Sequence, residues 1–159
     1  MNASLGRRGE GYVVVQFILL GLIALAPLVG VGGAWPEPLG LILRVGGGLL
    51  ILAGGALALA GLLGLGVDNL SALPHPKDAA QLVEHGIYGL ARHPIYGGLI
   101  AGAAGWALLT HSLLALLLAA ALWGWFELKS RREERALRAK FSAYDAYARR
   151  VRRFWPLLY

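Results

Sequence analysis

The run LGLILRVGGGLLILAGGALALAGLLGLG, Leu39 to Gly66, carries a single charged residue, Arg44. A helix needs about 20 apolar residues to cross a bilayer, and this run exceeds that. Arg44 sits near one end, where a long cationic stem can snorkel to the interface. Gly47, Gly54 and Gly61 recur every seven residues, near one helix face. Glycines so placed let a neighbouring backbone approach closely, so they read as a packing face.

The pattern repeats on both sides. Tyr12 to Ala34 is free of charge, with Arg7, Arg8 and Glu10 before it and Trp35-Pro36-Glu37-Pro38 after it, a tight turn with an interfacial tryptophan. It is long and lacks a small-residue cleavage site, so it does not read as a secretory signal. Pro94 to Leu109 and Leu113 to Phe126 flank Thr110-His111-Ser112 and read as a helical hairpin. Both are shorter than an ideal span, which local thinning or burial against other helices accommodates. Gly98, Gly102 and Gly105 suit tight packing; Trp123, Trp125 and Phe126 mark an interface. In the basic tail, Glu127 to Tyr159, Leu137, Phe141, Tyr144, Ala148 and Val151 alternate at spacings of four and three. That is one apolar stripe of an amphipathic helix, expected on anionic headgroups. The expected fold is therefore an all-α integral membrane protein with four transmembrane helices and a C-terminal amphipathic helix. It forms one membrane domain over 1–159, with two N-terminal spans in 1–66 and a core in 67–159.

Composition agrees. Of 159 residues 57% are hydrophobic and 15% charged, against about half and a quarter in soluble domains. This excludes a soluble enzyme and a disordered chain. With no cysteine there is no disulfide, thiolate nucleophile or Cys-ligated zinc. The net charge of +6 does not point to nucleic acid, because the basic residues cluster beside apolar segments and no nucleic-acid module is present. Arg7 and Arg8, the 67–93 loop with Lys77 and Arg92, and the Arg-rich tail share one side if the N-terminus is cytoplasmic. The two opposite connections, Trp35–Pro38 and Thr110–Ser112, hold no Lys or Arg. The expectation is a multi-pass protein of the inner (cytoplasmic) membrane, with both termini cytoplasmic.

Chemistry concentrates in two places. The polar loop Val67–His93 ends in Gly86-Ile87-Tyr88-Gly89-Leu90-Ala91-Arg92-His93-Pro94-Ile95-Tyr96-Gly97-Gly98. Pro94 suits the first turn of a helix, which sets Arg92 and His93 beside the positive end of its dipole. Two cations, exposed N–H groups and two tyrosines can receive a carboxylate or phosphate; the same residues also serve as interfacial anchors. The second place is Lys129-Ser130-Arg131-Arg132-Glu133-Glu134. Lys129 and Glu133 share a helix face one turn apart, and Glu134 continues the Leu137 stripe backwards. The plain alternative is a surface ion-pair cluster. Together the two places would hold a zwitterion. His75, His85 and His111 lack ligand spacing, so no metal site is expected.

These motifs resemble the isoprenylcysteine carboxyl methyltransferase family and its bacterial members. The match is to G-x-Y-x-x-x-R-H-P-x-Y-x-G over Gly86 to Gly98, then to a second motif at Glu133, Glu134, Leu137, Phe141, Tyr144, Tyr147, Val151 and Arg153. Asn69 to Lys77 resembles the linker of bacterial members, and the resemblance covers roughly residues 68 to 156. It implies a membrane enzyme using S-adenosylmethionine, with 67–93 as a cytoplasmic cofactor-binding loop. By resemblance the cofactor is held by Ala80, Gln81, Leu82, Val83, Tyr88, His93, Pro94, Ile95, Tyr96 and Glu133. Arg92 is the catalytic candidate; Lys129 and Glu134 are the substrate candidates. Lys129 stands where the family has an arginine, keeping the charge but losing the bidentate fork. Ser142, Arg152 and Ile87 are further departures. The implied partners are the bilayer and a lipophilic or lipid-modified acceptor, a carboxylate among the candidates. Phospholipid or amine methylation, an NADPH-dependent membrane reductase of related fold and a non-enzymatic membrane protein remain open.

Overall fold

The computed structural model describes residues 9–33, 35–69 and 80–156. The expectations on Arg7, Arg8, Ala34, His75 and Lys77, and the 70–77 part of the linker, lie outside these residues.

Five α-helices follow in order: α1 Glu10–Leu25, α2 Leu39–Asn69, α3 Pro94–Leu109, α4 Leu113–Lys140 and α5 Tyr144–Arg150. Short 3-10 turns occupy Ala26–Val29 and Gly86–Gly89. Three stretches, Glu10–Val29, Leu39–Gly66 and Leu113–Lys140, are long and apolar enough to cross a membrane. The apolar α3 has 16 residues. Their outward faces carry exposed leucine and phenylalanine, among them Phe17, Leu28, Leu52 and Leu63. That is how a lipid-facing surface is built, and the protein is an integral membrane protein.

The central contact is α2 on α3. A Cβ at Gly47 would lie 2.6 Å from the Gly105 carbonyl oxygen, and one at Gly54 would lie 2.5 Å from that of Gly98. Apolar side chains gain nothing by leaving lipid for protein, so close backbone approach and dispersion hold such a pair. The seven-residue glycine spacing is thus a packing face. Ser112 caps α4, its hydroxyl accepting from the Ala115 N–H at 3.2 Å, and closes the expected hairpin. At this end of the bundle Leu113 N–H donates to the Val31 carbonyl (3.0 Å), and between the two connections Trp35 N–H donates to His111 Nδ1 (3.5 Å). Glu37 pairs with Arg44 there. The buried core lies between α1, α3 and α4, on Ile23, Ile100, Ala119, Leu122 and Phe126.

The tail differs from the sequence expectation. One helix, α4, runs from the hairpin through Lys140, because no Gly or Pro interrupts Glu127–Lys140 and its residues are good helix formers. The chain then turns extended at Phe141 and restarts as the seven-residue α5. Leu137 and Tyr144 therefore belong to different helices, and Val151 is already extended. The apolar stripe is spent inward: Tyr144, Tyr147 and Val151 are buried against Leu82, Leu137 and Phe141. A continuous helix on the headgroups would have left them in lipid. After α5 the chain lies alongside 91–93. Arg92 N–H donates to the Arg152 carbonyl and His93 N–H to that of Arg153, each at 2.8 Å. Phe154 is fully buried, and the Trp155 indole donates to the Gly97 carbonyl at 3.1 Å.

Candidate functional site

The corner at His93–Pro94 is built by local chemistry. Pro94 starts α3 with His93 as its N-cap, where a missing N–H costs nothing. The preceding turn Gly86–Gly89 starts on a positive φ at Gly86 (59°). Tyr88 is buried in that turn. Its hydroxyl donates to the Gly61 carbonyl on α2 (3.2 Å), and its own carbonyl accepts from the Tyr147 hydroxyl (2.7 Å). Burial foremost, then the Glu133 charge, pushes the Tyr88 phenol up. Burial does the same for Tyr144 and Tyr147, so all three stay neutral donors. The segment 80–83, outside any helix, is pinned to the end of α2, where Asn69 Oδ1 accepts from the Gln81 N–H at 2.7 Å.

α4 supplies the opposite wall. Residues one apart on a helix point about 100° apart, so its adjacent glutamates separate. Glu133 faces inward, accepting from the Tyr96 hydroxyl (2.9 Å) and standing 3.7 Å from His93 Nδ1. Glu134 faces the tail and is buried, with an Oε1 that receives Arg92 Nε at 3.0 Å and lies 3.2 Å from His93 Nε2. Arg153 and Arg138 approach Glu134 at 3.4 Å. The Tyr96 ring stacks on Phe126 (4.5 Å) and parallel to His93 (5.4 Å). Lys129, one turn before Glu133, is buried with its ammonium 5.0 Å from the Tyr96 ring centre.

These walls enclose a cavity of about 480 Å³. Of the sequence candidates, Ala80, Gln81, Leu82, Val83, Tyr88, Arg92, His93, Ile95, Tyr96, Lys129 and Glu133 line it. Two do not. Pro94 is buried with its ring toward Gly61, and Glu134 stands behind the wall as the counter-ion of Arg92. Arg92 itself is heavily engaged, donating to Glu134 twice and to the carbonyls of Ala148 and Val151. Leu62 and Leu65 of α2, and Leu137 and Phe141, complete an apolar side. Gln16 of α1 also lines the cavity, and the sequence reading passes over it. Its signal is there: a lone carboxamide within an apolar span is a marker of function.

The cavity suits a polar cofactor and an apolar ligand side by side. The chain matches the phospholipid methyltransferase family over residues 42–143. It belongs to that family. The matched region contains the 80–96 corner and the Lys129–Glu133 wall. Curated relatives include the probable protein-S-isoprenylcysteine O-methyltransferase of Oryza sativa subsp. indica, 34% identical over 86 residues. That alignment takes 53% of this chain and 45% of the rice protein. The nickel-cobalt-cadmium resistance protein NccN of Alcaligenes xylosoxydans xylosoxydans is 35% identical over 83 residues, 52% of this chain and 39% of its own length. The chain thus aligns with under half the length of these relatives. Within its family, the chain is similar to the probable protein-S-isoprenylcysteine O-methyltransferase of rice over about half of its residues.

Proposed function

We propose that the chain is a membrane-embedded, S-adenosylmethionine-dependent methyltransferase acting on a lipophilic acceptor. The observation that carries this reading is one cavity joining the polar 80–96 corner and Glu133 to the apolar wall of Leu62, Leu65, Leu137 and Phe141. Its volume falls in the roughly 300–1,000 Å³ range of small-molecule sites. Its polar groups fit the cofactor: a carboxylate, Glu133, for an ammonium, and the buried Tyr144 hydroxyl, which has no hydrogen-bond partner among the described residues, for a further polar contact. When bound, S-adenosylmethionine supplies an electrophilic methyl group on a sulfonium.

Ala80–Val83, Tyr88, His93, Ile95, Tyr96 and Glu133 would hold the donor, with Pro94 fixing the turn beneath it. Arg92 would act electrostatically from the cavity edge. Glu134 would act on the substrate only through Arg92 and His93. Lys129 would lie at the acceptor's polar end. Holding donor and acceptor in line, away from water, supplies most of the rate in such a transfer. The acceptor would enter from the bilayer and the cofactor from the cytosol.

The test is calorimetry with S-adenosylhomocysteine on detergent-purified protein, followed by methylation of lipid extracts with labelled donor. Micromolar binding and label in a lipophilic product are expected; no binding overturns the reading. The name of the matched family favours a second acceptor, a phospholipid amine. Base treatment separates the two: a carboxyl ester releases its label as methanol, whereas an N-methyl product keeps it.

A further inference from the structure

α5 turns its tyrosines inward and its arginines outward. Tyr144 and Tyr147 are buried, while Arg149, Arg150 and, just beyond the helix, Arg152 are exposed. Beside the bridge that joins 91–93 to 152–153 lies a second cavity, a crease of about 440 Å³. Five arginines line it: Arg92, Arg149, Arg150, Arg152 and Arg153. Among the described residues no carboxylate does. Three of the five have counter-ions elsewhere, Arg92 on Glu134, Arg150 on Glu84 and Arg153 on Glu127. Arg149 and Arg152 have no carboxylate within salt-bridge distance among the described residues. The carbonyls of Ala148 and Val151, which would repel an anion, each accept from Arg92, which offsets that repulsion.

The crease also sits where a lipid head would lie. Three residues after Arg152, Trp155 meets Trp123 edge-on at 5.8 Å, and Trp123 is 42% exposed on the outward side of α4. Indole rings on the outside of a bundle settle at the headgroup level of a bilayer. By the positive-inside expectation this end meets the leaflet that carries anionic lipids.

We propose that the crease seats the phosphate of an anionic phospholipid, and that the lipid clamps the tail onto 91–93. Arg149 and Arg152 supply the unmatched charge, and guanidinium groups pair with phosphate oxygens two at a time. The clamp follows from the backbone. Arg152, whose side chain takes the phosphate, is also the residue whose carbonyl accepts from the Arg92 N–H, and the next carbonyl accepts from the His93 N–H, each at 2.8 Å. Arg92 and His93 line the larger cavity, so a lipid that binds only the docked tail stabilises that wall by mass action. The other arginine groove, over Arg131, Arg135 and Arg138, is a poorer seat, because Glu134 lines it and Asp145 pairs with Arg138. The clamp does not depend on what the larger cavity binds.

The test titrates the full chain in neutral detergent with dioctanoyl phosphatidylglycerol, dioctanoyl phosphatidylcholine, inorganic phosphate or polyglutamate. Melting temperature and amide hydrogen exchange are the readouts. Phosphatidylglycerol should bind about tenfold or more tightly than phosphatidylcholine, the scale of a hydrogen bond to a charged group. It should also slow exchange at Arg92 and His93. Arg149→Gln/Arg152→Gln should lose both effects and keep its lipid-free melting temperature. If that temperature falls, Arg149→Gln alone, off the bridge, decides by the same readouts. Arg131→Gln/Arg135→Gln removes equal charge from the other groove and should keep both effects. Equal binding of the two lipids, an unaltered response in Arg149→Gln/Arg152→Gln, or unchanged exchange at Arg92 and His93 overturns the proposal. So does loss of both effects in Arg131→Gln/Arg135→Gln, which would mean attraction by net charge alone. Equal stabilisation by inorganic phosphate would assign the crease to a soluble anion, and by polyglutamate to an acidic protein; either overturns the lipid.

Discussion

The neighbours Glu133 and Glu134 have opposite fates, and single substitutions separate them. Glu133 faces the cavity with the Tyr96 hydroxyl as a bonded partner. Glu133→Gln should keep the fold and weaken S-adenosylhomocysteine binding by about 1–3 kcal/mol, the cost of losing a buried polar partner. His93→Ala should weaken it similarly. Unchanged affinity in both folded variants would remove these residues from the donor site. Glu134 instead anchors Arg92, His93 and Arg153. Glu134→Gln leaves the buried Arg92 without its counter-charge, which typically costs about 3–5 kcal/mol. It should appear first as a lowered melting temperature, with binding lost only as the corner loosens. The sequence carried much of this. Lys129 and Glu133 at i and i+4, and Arg92 through Tyr96 as one contiguous run, are local spacings. The divergence of Glu133 from Glu134 was legible only as far as a 100° step, because which face meets the tail is a tertiary fact.

At the scale of the helix, α2 and α3 meet through glycine. Gly54→Leu would drive a side chain into the Gly98 carbonyl and the Gly102 N–H, both backbone atoms that cannot move aside cheaply. Gly55, where an added Cβ would meet nothing within 4 Å, provides the control. The expectation is a large loss of folded yield for Gly54→Leu and near-wild-type yield for Gly55→Leu, read by size-exclusion profile in detergent. Equal yields would show that α2 and α3 do not need this approach. The spans themselves were readable because apolar run length is a one-dimensional property. The break at Phe141 was not. Helical periodicity continues through it, and only the burial of Tyr144, Tyr147 and Val151 against Leu82 makes the chain turn.

For the whole molecule, the two ends of the bundle differ in charge. One carries Trp35, the Glu37–Arg44 pair and His111; the other carries the arginines of 92 and 131–153. By the positive-inside rule the expected place of the arginine-rich end, and of the cavity with it, is the cytoplasm. The chain has no cysteine, so single cysteines at Gly33, Ser112 and Arg149 report cleanly. In intact cells an impermeant maleimide should label Gly33→Cys and Ser112→Cys and spare Arg149→Cys. The reverse pattern would invert the molecule, and labelling of all three would overturn the expectation of four spans.

The backbone bonds that tie Arg92 and His93 to Arg152 and Arg153 also fix an order of assembly. During synthesis the ribosome delivers the first strand of that bridge before α3 and α4 exist, and the second only after both have been made. The spans can therefore be complete before the cavity is. A nascent chain holding α1 through α4 has its spans but lacks the last wall of its pocket. The arginine-rich segment is made last, and its return alongside 91–93 completes the wall of the cavity.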